Sequence, residues 1–306
     1  MQKLYGFTLK NGLLFALLGL LLFSCKSNKG KAKEEEVNID STELSQSLTK
    51  DVKEAKKVFY SLPTPLEIAV LIKKTGVQYN ESLLNPVGNV TNYTTNKVMA
   101  LNLGVYTMDL SFASLFDQTQ TAINYMNTVK KLANGLGILD AVDDNTIKRL
   151  EENIHNREIV MDIISETFMS SSSFLKENDR PAVAAIVLVG GWVEGLYLAT
   201  QLVGNNPVKG NKMAARIAEQ KLNQDIVISL LDEYKGNPDV ASVLVQVRKI
   251  KSVFDKIKIN SSKVVPEVDK KSNVTTLKSK ITVNFTQATF NELKVCVKNV
   301  RHDFIF

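Results

Sequence analysis

The sequence predicts an all-α protein, either a helical bundle or a short array of α-hairpins. Three observations lead to this fold class. Residues 182–203 are apolar on nearly every side, as the central helix of a core would be. Residues 103–114 match part of that stretch at a shift of 86 positions. Most of the remaining chain shows helix start signals followed by apolar residues three or four positions apart.

The central stretch is long enough to cross a membrane, so a membrane span has to be weighed against a core helix. As a helix, residues 182–203 would extend for about 33 Å at ~1.5 Å per residue, and the hydrocarbon core of a bilayer is ~30 Å thick. Its aliphatic side chains favour insertion, but Glu194 near its middle and its three glycines oppose insertion, so the balance is marginal. The earlier, matching stretch decides the interpretation.

The two matching stretches predict an internal structural repeat over about residues 96–136 and 182–234, in which Gly104 aligns with Gly190. The earlier copy carries polar side chains that a membrane helix would not tolerate: Asn102, Thr107, Asp109 and Ser111. If the two stretches are copies of one structure, neither crosses a bilayer. We therefore interpret residues 182–203 as a buried helix that both flanks of the chain surround.

The N-terminus has the pattern of a bacterial lipoprotein signal. Positive charge precedes an apolar run, residues 13–23, that is too short to span a membrane. The sequence Leu22-Phe23-Ser24-Cys25 resembles a lipobox, and the resemblance implies cleavage after Ser24 and acylation of Cys25. Residues 1–24 are therefore predicted to be a signal peptide, and acyl chains on Cys25 are predicted to hold the protein in a membrane.

A polar tether is predicted to follow the lipidated cysteine, over residues 25–39. It holds four lysines and then three glutamates, with almost nothing apolar to bury, so it is expected to be disordered. Lys26 follows Cys25, and the Asp that retains lipoproteins in the inner membrane is therefore missing. This favours the outer membrane and leaves its periplasmic and its surface-facing leaflet both open.

The composition is that of an ordinary globular protein. The chain has 306 residues, of which 44% are hydrophobic and 23% are charged, and this length suffices for a sizeable core. Its net charge of +6 falls to +4 when Lys3 and Lys10 leave with the signal, which is too small to indicate nucleic-acid binding. The two cysteines, Cys25 and Cys296, give no disulfide framework if Cys25 is acylated.

Beyond the tether the chain is predicted to form a single α-helical domain, residues 40–306. The first helix begins at Asp40, and its apolar stripe comprises Leu44, Leu48, Val52, Ala55, Val58 and Phe59. Thr64-Pro65-Leu66-Glu67 is a stronger start, with a cap, a proline in the first turn and a glutamate that reaches back. Further helices are predicted over residues 96–116, 119–133, 144–169, 182–203, 211–234, 237–257 and 286–304.

One stretch departs from the helical pattern. Over residues 276–285, Leu277, Ile281 and Val283 alternate with polar residues, which predicts a β-strand with no convincing partner in the chain. A lone strand could pair with a strand of another protein. The alternative is an extended lead-in that lies against the helices.

The repeated stretches, LGVYTMDLSFA and GGWVEGLYLATQL, look similar to an all-helical lipoprotein family of Bacteroidota that has no known activity. The resemblance covers most of the mature chain. It implies the cell envelope as compartment and an all-helical fold, and it implies no activity.

Patterns for catalysis, cofactors and metals are missing from the sequence. Glu152 and His155 have the Glu-x-x-His spacing of a di-iron helix, but such a site needs a second copy. The other histidine, His302, has Asn299 in place of the glutamate. No Gly-x-Ser-x-Gly occurs, and the glycines of residues 204–212 lack the spacing of a phosphate-binding loop. We predict a protein without enzymatic activity, cofactor or metal.

Two carboxylates remain, Asp109 and Glu194, inside the repeated apolar helices, where an unpaired charge would be costly to bury. They are not equivalent in the repeat, so each is expected to find its own partner. One interpretation is a buried hydrogen bond or ion pair that fixes the register of the helices.

The other interpretation is a ligand cleft between the repeated helices. Its candidate lining residues are Tyr106, Asp109, Trp192 and Glu194. The glycines of both helices, Gly104, Gly190 and Gly191, would leave room there for a ligand.

Together these observations favour a lipid-anchored helical module of the outer membrane that binds or scaffolds an envelope protein partner without catalysis. Binding of a small molecule in the cleft is the alternative, and an enzyme of unrecognised type is the third hypothesis.

Overall fold

The computed structural model describes residues 62–138, 144–261, 265–269, 274–278 and 281–306 of the chain. The predicted signal peptide, Cys25, the predicted tether and the helix predicted from Asp40 lie outside the described residues. All the described residues belong to one unit, Gln46–Phe306.

The prediction of an all-α fold is confirmed. The chain first forms α1, Pro65–Lys74, and two short 3₁₀ helices, Glu81–Leu83 and Val87–Asn92. The longer helices follow as α2 Asn96–Leu115, α3 Thr119–Gly135, α4 Asp144–Glu152, α5 Arg157–Glu177, α6 Pro181–Val203, α7 Lys212–Glu233, α8 Pro238–Phe254 and α9 Gln287–Ile305.

Several helices begin where a side chain can accept hydrogen bonds from the free N–H groups of the first turn. At α1 the backbone N–H of Thr64 donates to Glu67 Oε2 at 2.7 Å, and the N–H of Glu67 donates to Thr64 Oγ1 at 3.2 Å, which is the predicted capping box. Asn211 and Asn237 cap α7 and α8 in the same way, and Thr286 caps α9.

The single helix predicted over residues 144–169 is wrong. The structure has two helices there, because α4 ends at Glu152 and α5 begins at Arg157 after a turn. Asn156 accepts a hydrogen bond from the N–H of Ile159 and so caps the second helix. The side-chain oxygen of an Asn can accept hydrogen bonds from nearby backbone N–H groups, and it competes in this way with the carbonyl oxygens of a continuous helix. Here the side chain of Asn156 marks the start of a second helix.

Helices α2 and α6 form the centre of the fold. Both are long and apolar enough to cross a membrane, and both are mostly buried inside the described part of the protein. Every residue of α2 from Ala100 to Leu115 is buried, and α6 is buried continuously from Ala184 to Leu196. The remaining helices cover this pair, so residues 182–203 form the buried helix that the sequence predicts.

The two central helices meet at their glycines. A Cβ atom on Gly104 would lie 1.9 Å from the carbonyl oxygen of Val187, and a Cβ on Gly190 would lie 2.0 Å from that of Leu101. When Gly104 is aligned with Gly190, Leu101 is aligned with Val187, so each contact is the counterpart of the other. Two copies of one helix make reciprocal contacts of this kind about a local two-fold axis. The repeat over residues 96–136 and 182–234 is still a prediction.

Between α8 and α9 the chain forms two antiparallel strand pairs. β1, Lys258–Ser261, pairs with β4, Ile281–Asn284, and β2, Val265–Asp269, pairs with β3, Val274–Lys278. The single unpaired strand predicted over residues 276–285 is therefore wrong, because this range contains the end of β3 and all of β4, and each of these strands has its own partner. The partner strands β1 and β2 were missed because each is only four or five residues long and mixed in composition, so no alternation shows in the sequence.

Candidate functional site

The predicted acids lie at the centre of a buried polar network, beside the loop that joins the two 3₁₀ helices. Asn85 of that loop is fully buried, and its backbone N–H donates to Asp109 Oδ2 at 3.0 Å. Its side-chain amide donates to Tyr93 Oη at 3.0 Å and to Asn102 Oδ1 at 3.3 Å. Its carbonyl oxygen accepts from Tyr125 Oη at 2.9 Å. The loop is therefore fixed to α2 and α3 by buried hydrogen bonds.

Glu194 forms a bidentate ion pair with Arg301. The Nε of Arg301 donates to Glu194 Oε2 at 2.8 Å, and its Nη2 donates to Oε1 at 2.9 Å. Glu194 is fully buried, and Arg301 is only 8% exposed. The guanidinium also donates to the carbonyl oxygen of Leu83 at 3.3 Å and lies 4.2 Å from the ring centroid of Tyr197. This geometry compensates part of the cost of removing both charges from water.

Asp109 stands next to that ion pair and shares its environment with Glu194. Burial, and next the charge of Glu194, raise the pKa of Asp109 well above its usual range, although Arg301 and the N–H of Asn85 act in the opposite direction. Asp109 Oδ1 has no hydrogen-bond partner among the described residues, and the raised pKa favours the protonated form of this carboxyl. We call Asp109, Glu194 and Arg301 the buried charge cluster; with Asp109 protonated it carries one negative and one positive charge.

Burial lowers the pKa of Arg301, but Glu194, Asp109 and Tyr197 together raise it by more, so the net shift is upward and the guanidinium stays charged. The neighbouring tyrosines stay neutral, because burial raises the pKa values of Tyr106 and Tyr125. Tyr106 Oη donates to the carbonyl oxygen of Pro86 at 2.8 Å. Both hydroxyls therefore serve as hydrogen-bond donors to the loop.

The structure brings three of the four predicted cleft residues together and leaves the fourth apart. Tyr106, Asp109 and Glu194 belong to the polar network. Trp192 instead lines a small apolar cavity of about 30 Å³ with Ile68 of α1. Two positions on a helix differ by about 200° in direction, so Trp192 and Glu194 leave opposite sides of α6.

The structure gives each acid a partner of its own, as expected: Asp109 accepts from the backbone N–H of Asn85, and Glu194 pairs with Arg301. Asp109 and Glu194 lie on different helices but face the same point between α2 and α6, where they interact with each other and with Arg301. The register interpretation fits this arrangement, because the buried charge cluster joins α2, α6 and α9.

The prediction of a ligand cleft between the repeated helices is wrong, because the structure leaves no space at the proposed position. The space left by Gly104 and Gly190 is filled by the backbone of the facing helix, and that left by Gly191 by Pro65 at 3.0 Å. Tyr106, Asp109 and Glu194 are fully buried. Because a glycine has no Cβ atom, it allows either a ligand or a neighbouring helix to come close to the backbone. Here these glycines allow the close approach of neighbouring helices.

Sequence reasoning missed the residues that complete the network, above all Arg301 and Asn85. Arg301 had a usable signal, since it lies four residues after Val297 and eight after Leu293, within the apolar stripe of the last predicted helix. A charged residue on an apolar face indicates a buried partner. Asn85 had no such signal, because loop residues show no periodicity.

Glu152 and His155 do not form half of a metal site. Glu152 is the last residue of α4, His155 lies in the turn that follows, and both are exposed. Within the described ranges, no group of three or more His, Cys, Asp or Glu side chains is placed to hold a metal ion. Cys25, the predicted lipidation site, lies outside those ranges.

Comparison of the chain with known protein families, with curated proteins and with solved structures gave no match. The site therefore has to be interpreted from its own geometry. Its charged groups are buried, paired with one another and surrounded by hydrogen-bonded tyrosine and asparagine side chains. Such an arrangement fixes the relative position of three helices.

Replacing Asp109 with Asn tests its protonation state. Because the folded-state pKa of Asp109 is raised above the unfolded value of about 3.9, the folded protein binds this proton more tightly. The stability that the proton contributes is present at low pH and is lost as the pH rises towards the folded-state pKa. The free energy of unfolding of the wild type should fall by up to about 1.4 kcal/mol per pH unit in this window.

Asp109→Asn removes this titration. Urea unfolding should therefore show the free energy of unfolding of the variant rising relative to that of the wild type as the pH increases from about 4 towards the folded-state pKa of Asp109, because the amide stays neutral. Asp303→Asn, at an exposed position of α9, is the control and should show no such trend. A constant difference between Asp109→Asn and wild type across this range would mean that Asp109 is ionised in the folded protein.

Proposed function

We propose that the protein is a lipid-anchored helical module of the outer membrane that binds or scaffolds an envelope protein partner without catalysis. The observation that carries this proposal is the combination of a lipobox-like ending at Cys25 with a body whose buried carboxylate, Glu194, is paired with Arg301. Buried groups that fix the relative position of the helices favour a rigid domain, and a rigid domain can offer a constant surface to a binding partner. The lipid anchor and tether would place that body at the membrane surface.

The outer membrane is favoured by the residue that follows the lipidated cysteine. Lys26 stands where inner-membrane lipoproteins carry an aspartate. The tether that follows is hydrophilic and long enough to hold the body away from the headgroups.

Binding of a small molecule is a second candidate, at a place other than the predicted cleft. A cavity of about 430 Å³ opens between the start of α2, α8 and the end of α9. Its lining combines Tyr93 and Phe306 with Lys97, Asp303 and Gln246. The buried Oε1 of Gln246 has no hydrogen-bond partner among the described residues, and the volume is in the range of ligand sites. A small molecule retained through purification would favour this function.

The anchor is tested by replacing Cys25 with Ser. We expect the wild type in the membrane fraction and Cys25→Ser in the soluble fraction, because loss of the acyl chains removes about 0.8 kcal/mol of membrane binding per buried CH₂ group. Cys296→Ser is the matched control and should stay with the membrane. Equal membrane association of Cys25→Ser and wild type would contradict the lipid anchor.

The interaction function is tested by purifying the anchored protein, with its tether intact, from membranes. One envelope protein that accompanies it in a fixed ratio, and that Cys25→Ser no longer retains, supports the proposal. Turnover of a substrate by the purified protein would instead favour an enzyme.

A further inference from the structure

The cavity between the start of α2, α8 and the end of α9 has walls that the buried polar network fixes. Tyr93 Oη accepts a hydrogen bond from the side-chain amide of Asn85, and the fully buried side chain of Asn102 donates to the carbonyl oxygen of Phe304 at 2.9 Å. Tyr93 and Phe304 both line the cavity. The cavity is therefore formed before a ligand arrives, as small-molecule sites usually are.

Charges of opposite sign line this cavity from different helices. Lys97 belongs to the first turn of α2, and Asp303 belongs to the last turn of α9. The Nζ of Lys97 donates to Ser242 Oγ at 3.3 Å, which is longer than the usual range of such contacts. In the described part of the chain Asp303 has no hydrogen-bond or ion-pair partner. Two opposite charges that line one cavity without pairing leave space for a ligand that pairs with both.

A buried acceptor lines the same cavity. The Oε1 atom of Gln246, on α8, is buried and has no hydrogen-bond partner among the described residues. Such an atom is uncommon, because the hydrogen bond to water that it gives up on folding is not replaced. A donor group on a bound molecule would replace it. Gln246 and Asp303 therefore both favour a ligand that carries N–H donors.

The rest of the lining is mostly apolar. It includes Val98, Leu101, Val243, Ile305 and Phe306. The ring of Phe306 is 78% exposed, so it stands where the cavity opens to solvent. A ligand that fills this space needs an apolar group as well as its charges, because apolar contacts provide most of the buried area in such sites.

We infer that the cavity binds a small zwitterion with an apolar side chain, either a free amino acid or a dipeptide. The carboxylate of the ligand contacts Lys97, its ammonium contacts Asp303, and Gln246 Oε1 accepts from an N–H of the ligand. The partial negative charge at the C-terminal end of α9 adds to the attraction of the ammonium. This inference rests on the second function proposed above, binding of a small molecule in this cavity.

Isothermal titration calorimetry of the full-length protein, purified as the cell produces it, tests the ligand class. The probes are L-leucine and L-leucyl-L-leucine, and the tighter of the two identifies the source of the zwitterion. The N-acetyl derivative of that probe keeps only the carboxylate, and its amide keeps only the ammonium. Each derivative should bind at least about tenfold more weakly than its parent, because each loses one charge-assisted hydrogen bond.

Two variants test the site. Asp303→Asn and Lys97→Met should each weaken binding of the zwitterion by at least about tenfold. Asp303 is exposed and Lys97 is half-buried, so neither change removes a core side chain. Asp303→Asn should not weaken the N-acetyl probe further, and Lys97→Met should not weaken the amide further, because the contact in question is already lost. A variant that merely misfolds would weaken every probe.

Asp162→Asn and Lys298→Met are the matched controls. Both residues are exposed, on α5 and α9, and neither lines the cavity. Both variants should bind the zwitterion as the wild type does.

The ligand class is wrong if the N-acetyl probe or the amide binds as tightly as its parent. The site is wrong if binding survives Asp303→Asn or Lys97→Met unchanged. Failure of both parent probes to bind with a Kd below about 1 mM would also overturn the inference.

Mass spectrometry of the small molecules that the purified protein releases on denaturation separates these failures from failure of the proposed function. A retained compound that lacks either charge would keep small-molecule binding and overturn the ligand class. No retained compound, together with no binding of any probe, would overturn both.

Discussion

Replacing Gly104 with Ala is expected to destabilise the protein by more than about 3 kcal/mol, at or above the upper end of what overpacking usually costs. The added Cβ would lie 1.9 Å from the carbonyl oxygen of Val187 and 2.6 Å from the backbone nitrogen of Gly191. Both atoms belong to the backbone of α6, so no side chain can rotate out of the way. The two central helices would have to separate, and the core contacts around them would be lost. Thermal and urea unfolding measure the effect.

Helix propensity alone predicts the opposite sign, because Ala is favoured over Gly in a helix by about 1 kcal/mol. Gly236→Ala is the control, since a Cβ there meets nothing within 4 Å. It should change the free energy of unfolding by less than about 0.5 kcal/mol. Gly190→Ala should resemble Gly104→Ala, because its Cβ would lie 2.0 Å from the carbonyl oxygen of Leu101. If Gly104→Ala is as stable as the wild type, α2 and α6 do not make this backbone contact.

The sequence was sufficient to predict the helices that have local signals. Thr64, Pro65 and Glu67 predict the start of α1 through hydrogen bonds that involve neighbours in the chain. The apolar stretch of α6 predicts its own burial, because the hydrophobic effect depends on the apolar area removed from water and does not require specific partner residues. These features need no knowledge of what lies across the core.

Features that depend on two distant segments were harder to predict. The glycines of α2 and α6 were identified in the sequence. However, a glycine that makes room for a ligand cannot be distinguished by sequence from one that makes room for a facing helix. Asp109 and Glu194 have separate partners, as expected, but their proximity to each other could not be predicted, since a sequence alignment does not give the rotation of one helix against another. The partner of Glu194 is Arg301, which is 107 residues away in the chain.

The connection between α8 and α9 shows the same limit. Val283 and its neighbours predicted a strand by alternation, but pairing is a property of two strands. The partner of β4 is Lys258–Ser261, whose four residues show no alternation of their own. A pairing set mainly by backbone hydrogen bonds leaves little trace in the side chains.

Arg301→Met is expected to be the most destabilising change in the buried charge cluster. It removes the only described cation that contacts Glu194, which is fully buried, and leaves that carboxylate beside Asp109. Breaking a buried ion pair on one side typically costs about 3–5 kcal/mol. Arg248→Met is the matched control, because Arg248 pairs with Asp232 at 2.9 Å but is 54% exposed. A pair of that kind contributes about 1 kcal/mol or less.

A double-mutant cycle separates the loss of the pair from the loss of packing. Adding Glu194→Gln to Arg301→Met replaces the stranded charge by a neutral amide, which can still hydrogen-bond to Asp109. The double variant should therefore be more stable than Arg301→Met alone, and the coupling between the two positions should reach about 2 kcal/mol or more. Urea unfolding of the four proteins at pH 7 gives this value. Strictly additive effects would mean that Glu194 and Arg301 do not form a pair, and that some other contact holds α6 and α9 in register.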